Sequence, residues 1–160
     1  MFPSEPFYIQ SKLNPDYVID IYGNSDLKLA TLITYPKKPN GDDPTGRGIE
    51  NQLWIAIDQG SGWFRLMTSM YTGYVIDNQG GIVVNSINTA NESSQLWKPT
   101  AILSSGWFLL FNQKPDPNSA GYVIDVNNSN LSTPLISYPA NSTITNNQSW
   151  RFVVGPKPAK

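Results

Sequence analysis

The sequence predicts an all-β domain built from three copies of one unit, and three observations support this. The motif Tyr-Val-Ile-Asp occurs three times, at residues 17–20, 74–77 and 122–125. Each copy is followed by a Gln-x-Trp triplet, at residues 52–54, 95–97 and 148–150. Short aromatic and β-branched runs alternate with Gly, Asn and Pro turns, and no stretch has a sustained helical period. Units of about 50 residues bury too little apolar surface alone, so the copies must pack around a shared core.

Each unit contains four predicted strands in the same order, of which the second is Tyr-Val-Ile-Asp and the fourth contains Gln-x-Trp. The first strands are residues 7–11, 63–67 and 107–111, and the third strands are residues 29–35, 82–87 and 131–138. Pro134 interrupts the last of these, which predicts a bulge or an edge position there. Three four-stranded units around a pseudo-threefold axis form a β-trefoil, whose barrel and hairpin cap leave few strand edges exposed.

The repeats cover about residues 7–58, 59–102 and 103–155, so residues 1–160 are predicted to form a single domain. Two insertions break the symmetry. The first repeat has a long polar loop from Pro36 to Gly48, and the third has an insertion between Asn112 and Ala120. Polar loops of this length are expected on the surface.

Composition excludes several classes of function. Charged residues make up 14% of the chain and the net charge is -1, which gives no basic surface for nucleic acid or an anionic membrane. With no cysteine and no histidine, disulfides, Ser-His-Asp or Cys-His catalysis and the common zinc sites are excluded, and no metal or cofactor is expected. No segment resembles a signal peptide or a membrane span, so we expect no membrane insertion and a cytoplasmic protein, or one released without a classical signal.

A β-trefoil with three Gln-x-Trp triplets resembles the ricin-B-type lectin family, whose domains also occur as carbohydrate-binding modules attached to glycosidases. The resemblance covers essentially the whole chain and is strongest to small, cysteine-free, single-domain lectins of fungi and some bacteria. It implies a non-catalytic agglutinin that binds terminal galactose or N-acetylgalactosamine on glycoproteins or glycolipids, with a role in defence. It leaves open whether the domain forms a homodimer.

The family resemblance also implies which residues bind sugar. A binding repeat in that family uses the aspartate after the Val-Ile strand, the backbone of the next turn, an aromatic residue ending the third strand, and an asparagine before Gln-x-Trp. These positions hold Asp20, Gly23, Tyr35 and Asn51 in the first repeat, and Asp125, Asn128, Tyr138 and Asn147 in the third. The second repeat keeps Asp77, but we assign Asn88 to its aromatic position and Ser94 to its asparagine position. Two complete sites and one degenerate site are therefore expected.

These residue types suit a sugar ligand. A pyranose stacks the C–H groups of one face on an aromatic ring, while its hydroxyls need directed hydrogen bonds. A carboxylate accepts charge-assisted hydrogen bonds from two neighbouring hydroxyls, and an asparagine amide both donates and accepts. The tyrosines and asparagines occur together in the first and third repeats and are absent together from the second, which favours a shared functional role.

A structural role is predicted for residues that occur in all three repeats. The Gln-x-Trp side chains belong to this group and are expected in the core: Gln52, Trp54, Gln95, Trp97, Gln148 and Trp150. Trp63, Trp107, Phe64 and Phe108, which begin strands at matching positions, are also predicted to be barrel core. Because Asp77 persists without its companions, the repeated aspartate is expected to stabilise its turn or to hydrogen-bond the nearby glutamine as well.

Three alternative functions remain open at this stage. A β-trefoil protease inhibitor would act through the loop from Pro36 to Gly48, whose charged residues Lys37, Lys38, Asp42, Asp43 and Arg47 would otherwise form a solvated loop or a lip over the first site. A glycosidase needs two neighbouring carboxylates, and the three repeated aspartates are expected on separate lobes. A glycan-targeting component of a toxin complex would differ from a lectin only in its partner.

Overall fold

The computed structural model describes residues 1–38, 48–90, 92–117 and 120–156, and these contain twelve antiparallel strands and five short 3-10 turns. The strands of the first repeat are β1 (Phe7–Ser11), β2 (Tyr17–Ile21), β3 (Leu32–Pro36) and β4 (Trp54–Asp58). Those of the second are β5 (Phe64–Thr68), β6 (Val75–Asn78), β7 (Ile82–Asn85) and β8 (Trp97–Ala101). Those of the third are β9 (Phe108–Asn112), β10 (Tyr122–Asp125), β11 (Ile136–Pro139) and β12 (Trp150–Val154).

The first and fourth strands of the three repeats form a closed barrel. The pairing runs from β1 to β4, β5, β8, β9 and β12 and returns to β1, so every barrel strand has two neighbours. The remaining strands form the hairpins β2–β3, β6–β7 and β10–β11. Isolated bridges join the hairpins to each other: Thr31 to Val83, Ile33 to Pro134 and Gly81 to Ile136. A six-stranded barrel capped by three hairpins is a β-trefoil, as the repeats predicted.

Three tryptophans tie the barrel to the cap. Trp54, Trp97 and Trp150 are fully buried. Each indole N–H donates to a carbonyl on a hairpin strand: to Ile19 O at 3.3 Å, to Ile76 O at 3.0 Å and to Ile124 O at 3.1 Å. A buried indole needs a hydrogen-bond acceptor, and the Val-Ile strand provides it in every repeat. The two sequence motifs therefore meet in space.

The third strands of the first and third repeats begin later than the sequence predicts because the chain turns before them. Leu29 has a φ of 63° and Ser132 a φ of 61°, values that end extended structure for non-glycine residues. Their segments cross to the neighbouring hairpin, and the Leu29 N–H donates to Val84 O at 2.7 Å. Pro134 bridges Ile33 outside any strand, in agreement with the predicted edge position.

Trp63 and Trp107 are not part of the barrel core, contrary to the prediction. Both precede their strands and are half-buried. Lys98 Nζ lies 4.9 Å from the ring centre of Trp63, and Arg151 Cζ lies 4.7 Å from that of Trp107. The indoles are covered by cationic side chains from the paired barrel strands β8 and β12, a favourable arrangement at a barrel end.

Two predicted features fall wholly or partly outside the described residues. Residues 39–47 of the first-repeat loop, with Asp42, Asp43 and Arg47, are among them, as are residues 118–119 of the third-repeat insertion. Among the residues that are described, no helix is long and apolar enough to cross a membrane.

Candidate functional site

In the first repeat, one glutamine side chain joins the repeated aspartate to the end of the third strand. Gln52 Nε2 donates to Asp20 Oδ2 at 2.8 Å and to Pro36 O at 3.0 Å. Its Oε1 accepts the backbone N–H of Lys38 at 2.9 Å. Gln52 lies in a 3-10 turn (Glu50–Gln52) just before β4, so the strand begins at the tryptophan of the triplet.

The same glutamine bridge occurs in the other two repeats. Gln95 Nε2 donates to Asp77 Oδ2 at 3.1 Å and to Ser86 O at 2.9 Å. Gln148 Nε2 donates to Asp125 Oδ2 at 2.7 Å and to Pro139 O at 3.1 Å. The acceptor Oε1 again receives a backbone N–H, from Asn88 and from Asn141. The aspartate therefore has a structural partner in all three repeats.

These bridges correct one sequence assignment. Pro36, Ser86 and Pro139 are equivalent, so the preceding residues Tyr35, Asn85 and Tyr138 are equivalent as well. Strand register agrees, because these three residues pair with Val18, Val75 and Val123. Asn85, and not Asn88, thus occupies the aromatic position of the second repeat. The turn between the aspartate and the third strand is shorter in the second repeat, so the sequence-based assignment of this position lies three residues too late.

Tyr35 and Tyr138 lie on the same hairpin face as the aspartates. Asp20 pairs with Ile33 and Asp125 with Ile136, which places each tyrosine two residues further along the partner strand. Such diagonal neighbours share a face and are separated by roughly 7–8 Å, within reach of a long side chain. The tyrosines are 45% and 52% exposed, whereas Asp20 and Asp125 are 3% and 4% exposed. Each hairpin therefore presents an exposed ring beside a recessed carboxylate.

The turns after these aspartates are alike in the first and third repeats. Gly23 and Asn128 both stand three residues after the aspartate, with φ values of 65° and 51° in short 3-10 turns. The following residues, Asn24 and Ser129, are also left-handed. Glycine and asparagine tolerate this conformation best. The second repeat has a tighter hairpin there, since β6 ends at Asn78 and β7 begins at Ile82.

The two predicted asparagines have different surroundings. Asn147 is half-buried, and its Nδ2 donates to Asp125 Oδ1 at 2.9 Å. Asn51 is 1% exposed, and its Nδ2 donates to Ile21 O at 3.2 Å. Its Oδ1 accepts from Lys38 Nζ at 2.9 Å. Asn147 thus bonds the carboxylate of its repeat directly, whereas the Asn51 side chain bonds a backbone carbonyl and an ammonium.

Lys38, for which the sequence left open a solvated loop or a lip over the first site, is a neighbour of that site. Besides Asn51, its ammonium contacts Gly48 O at 3.4 Å, while its backbone N–H is held by Gln52. The sequence signal was its place two residues after Pro36, the position of Asn141 in the third repeat. The first site therefore has a cation at its edge where the third has an amide.

The second repeat fills its own site. Asp77 is 1% exposed and accepts hydrogen bonds from three side chains: Gln79 to Oδ1 at 2.9 Å, Asn85 to Oδ2 at 3.0 Å and Gln95 to Oδ2 at 3.1 Å. Ser94, at the asparagine position, is buried, and its carbonyl accepts from Asn112 Nδ2 at 2.9 Å. The third-strand position beside this carboxylate holds Asn85 in place of a tyrosine.

Burial perturbs the carboxyl of the third site. Burial raises the pKa of the Asp125 carboxyl above its ordinary value, and the hydrogen bonds from Gln148 and Asn147 offset this only in part. In the part of the chain that the structure describes, no group of three or more His, Cys, Asp or Glu side chains could hold a metal ion.

Comparisons with known proteins agree on the fold. No protein-family model matches the sequence, and no curated protein matches it significantly. Among solved structures, the designed threefold-symmetric protein ThreeFoil is 21% identical, with a TM-score of 0.73 over 92% of this chain and 97% of its own. The C-half of an earthworm R-type lectin, in complex with GalNAc, is 22% identical, with a TM-score of 0.65 over 93% and 98% of the two chains.

A larger protein contains a similar unit. A mosquitocidal holotoxin is 16% identical, with a TM-score of 0.78 over 98% of this chain. The matched region is only 18% of the holotoxin chain. These levels of identity establish a shared β-trefoil fold and leave the ligand to be argued from the residues themselves.

Proposed function

We propose that this chain is a non-catalytic carbohydrate-binding lectin of the ricin-B type, with one sugar site on the first repeat and one on the third. The observation that carries this proposal is the pairing of an exposed tyrosine with a recessed, hydrogen-bonded carboxylate on two hairpins. In the second repeat Asn85 stands in place of the ring, and Asp77 already accepts hydrogen bonds from three side chains. The preferred ligand is terminal galactose or N-acetylgalactosamine.

The chemistry of each site follows from this geometry. The apolar face of the sugar lies on Tyr35 or Tyr138, and an axial hydroxyl with its equatorial neighbour donates to Asp20 or Asp125. The glutamine bridge holds the carboxylate before the sugar arrives, which lowers the entropy cost of binding. The left-handed turn at Gly23 or Asn128 brings backbone groups to the edge of the ring.

Several findings support this proposal over the alternatives. The β-trefoil of the earthworm R-type lectin half, similar over nearly the whole chain, is in complex with GalNAc. The three repeated aspartates lie on three different hairpins, so they form no carboxylate pair of the kind that glycosidases use. The inhibitor hypothesis depends on the loop from Pro36 to Gly48, most of which lies outside the described residues, and it leaves the two tyrosine–aspartate pairs unexplained.

A glycan-targeting component of a toxin complex is the second candidate. The similarity of the whole chain to a region that is 18% of a mosquitocidal holotoxin favours it. Sugar binding is common to both candidates. Co-purification with a toxic partner would distinguish them, because a free lectin requires no such partner.

Isothermal titration tests the proposal. We expect N-acetylgalactosamine and galactose to bind with a stoichiometry of two, and glucose, which lacks the axial hydroxyl, to bind much more weakly. The weak affinity of each site should be raised on a multivalent surface, where two sites act together. Absence of binding to a broad glycan array would refute the proposal. Protease inhibition lost on shortening the loop from Pro36 to Gly48 would favour the inhibitor.

A further inference from the structure

A cleft of about 780 Å³ opens beside the first-repeat site, between the loop after β2 and the turn that joins β5 to β6. Its lining includes Gly23, Asp26, Leu27, Glu50, Met70 and Tyr71. Gly23 forms the left-handed turn of the first site, and Glu50 directly precedes Asn51. The cleft therefore adjoins the proposed sugar site and has a volume typical of small-ligand sites.

Tyr71 presents a held aromatic ring in this cleft. Its side chain is 84% exposed, and its hydroxyl donates to Asp26 Oδ2 at 2.7 Å across the cleft. The hydrogen bond joins the turn of the second repeat to the loop of the first. An exposed ring whose hydroxyl is already engaged offers its faces for stacking, which is the contact that a pyranose needs.

The charges of the cleft select among ligands. Asp26 and Glu50 contribute carboxylates, and the described lining contains no lysine or arginine. These two carboxylates would repel an anionic ligand in the cleft. A neutral polyhydroxylated ligand instead finds hydrogen-bond acceptors for its hydroxyls and an aromatic surface for its C–H groups.

The third-repeat site lacks these groups. Its adjoining turn joins β1 to β2, since Lys12 N donates to Ser149 O as Ser69 N donates to Leu53 O. Within these turns, Leu13 N bonds Ser11 Oγ as Met70 N bonds Thr68 Oγ1. The register makes Asn14 the counterpart of Tyr71. Asn146 is likewise the counterpart of Glu50, since each precedes the asparagine and glutamine of its repeat.

We propose that this cleft is an extended subsite for the second, neutral sugar unit of a glycan whose terminal residue lies at Asp20 and Tyr35. The first site thus recognises a disaccharide and the third site recognises the terminal sugar alone. This inference rests on the proposed lectin function. It assigns to Tyr71 a role in specificity that its counterpart beside the third-repeat site, Asn14, does not have.

The test isolates each site and compares a monosaccharide with disaccharides. A Tyr138→Ala variant keeps only the first site, and a Tyr35→Ala variant keeps only the third. Each is titrated with galactose and with neutral β1,3-, β1,4- and β1,6-linked galactosyl disaccharides. We expect at least one disaccharide to bind the first site roughly three- to tenfold more tightly than galactose, and to bind the third site no more tightly.

Tyr71→Ala, added to Tyr138→Ala, should remove that gain and leave the dissociation constant for galactose unchanged. Asn14→Ala, added to Tyr35→Ala, is the matched control. It should change neither the galactose affinity nor the disaccharide affinity of the isolated third site. A gain that survives Tyr71→Ala, or the absence of any gain at the first site, would overturn the subsite while the lectin function stands. Failure of galactose and N-acetylgalactosamine to bind the native protein would overturn both.

Discussion

Asn85 donates a hydrogen bond from its side-chain Nδ2 to Asp77 Oδ2 at 3.0 Å, from the position where the other repeats have a tyrosine. This contact shows that a side chain at this position reaches the repeated carboxylate. In the second repeat the residue closes the site, and in the other two the longer tyrosine leaves the carboxylate facing an exposed ring. Under the proposed function, this register position is one of the differences between the second-repeat hairpin and the two sugar-binding hairpins.

We predict that Asn85→Ala lowers the free energy of unfolding by about 1–2 kcal/mol, since a buried carboxylate loses one of three donors. The number of sugars bound per chain should remain two, because Gln79 and Gln95 still donate hydrogen bonds to Asp77. Urea unfolding and isothermal titration on the same preparation measure both quantities. A fall in stoichiometry would mean that the second repeat binds sugar after all.

Removing the tyrosine rings should affect binding more than stability. Tyr35→Ala and Tyr138→Ala each remove one site, so the stoichiometry should fall from two to one in each single variant. Because both rings are about half exposed, each substitution should cost less than about 1 kcal/mol of stability. The double variant should fail to agglutinate glycan-bearing particles. Agglutination by a folded double variant would exclude these rings as the sugar platforms.

Removing a glutamine bridge should affect stability more than sugar binding. Gln95→Ala removes two donated bonds and one accepted bond from the buried network of the second repeat, so we expect a loss of about 2–3 kcal/mol. Sugar binding should be unaffected, because that repeat has no open site. Thermal unfolding gives the first quantity and titration the second. Equal stability of variant and native protein would show that the bridge is dispensable.

The sequence predicts the fold well because the fold depends on what is repeated. Trp54, Trp97 and Trp150 recur at matching places, and each completes the same buried contact. The site is harder to predict, because it depends on what differs among the repeats. The aromatic position of the second repeat was assigned to Asn88 and not to Asn85, since the turn before the third strand varies in length and spacing alone gives no strand register.

Contacts between segments that are distant along the chain also could not be predicted from the sequence. Tyr71 meets Asp26 across two repeats, and no periodicity links them. Lys38 reaches Asn51 because the chain after Pro36 is held by Gln52, a constraint that appears only once the strands are paired. Residue types could be predicted to suit a sugar, but their partners required the folded arrangement.

The pH dependence of the third site follows from the raised pKa of Asp125. Since the folded pKa lies above the unfolded value, this group destabilises the fold at pH above the folded pKa, and its cost disappears as the pH falls below the unfolded pKa. Acidification should have the opposite effect on sugar affinity: protonation of Asp125 removes the charged acceptor, so binding becomes weaker. In a Tyr35→Ala variant, we expect galactose affinity to fall on acidification, starting above the usual range for an aspartate.

An NMR titration of the Asp125 carboxyl carbon checks this directly. The resonance should titrate above the ordinary aspartate pKa without ligand, and saturating galactose should lower that pKa because the sugar binds the charged form. A pKa that is unchanged by galactose would show that the carboxylate makes no contact with the sugar.

The two asparagines should respond differently to the same substitution, although the family resemblance gives them one role. Asn51→Ala removes a fully buried amide that bonds Ile21 O and accepts from Lys38, so we expect about 1–3 kcal/mol of destabilisation. Asn147→Ala removes a half-buried donor to Asp125, so we expect less destabilisation and a several-fold loss of galactose affinity at the third site.

The measurement pairs Asn51→Ala with Tyr138→Ala and Asn147→Ala with Tyr35→Ala, so that each asparagine is tested on its own isolated site. Urea unfolding separates loss of fold from loss of affinity, and Asn51→Asp tests whether the ammonium of Lys38 tolerates a carboxylate in place of the amide oxygen. If both alanine variants lose affinity equally and keep full stability, the two asparagines contact the sugar alike. The buried contacts of Asn51 would then contribute little to stability.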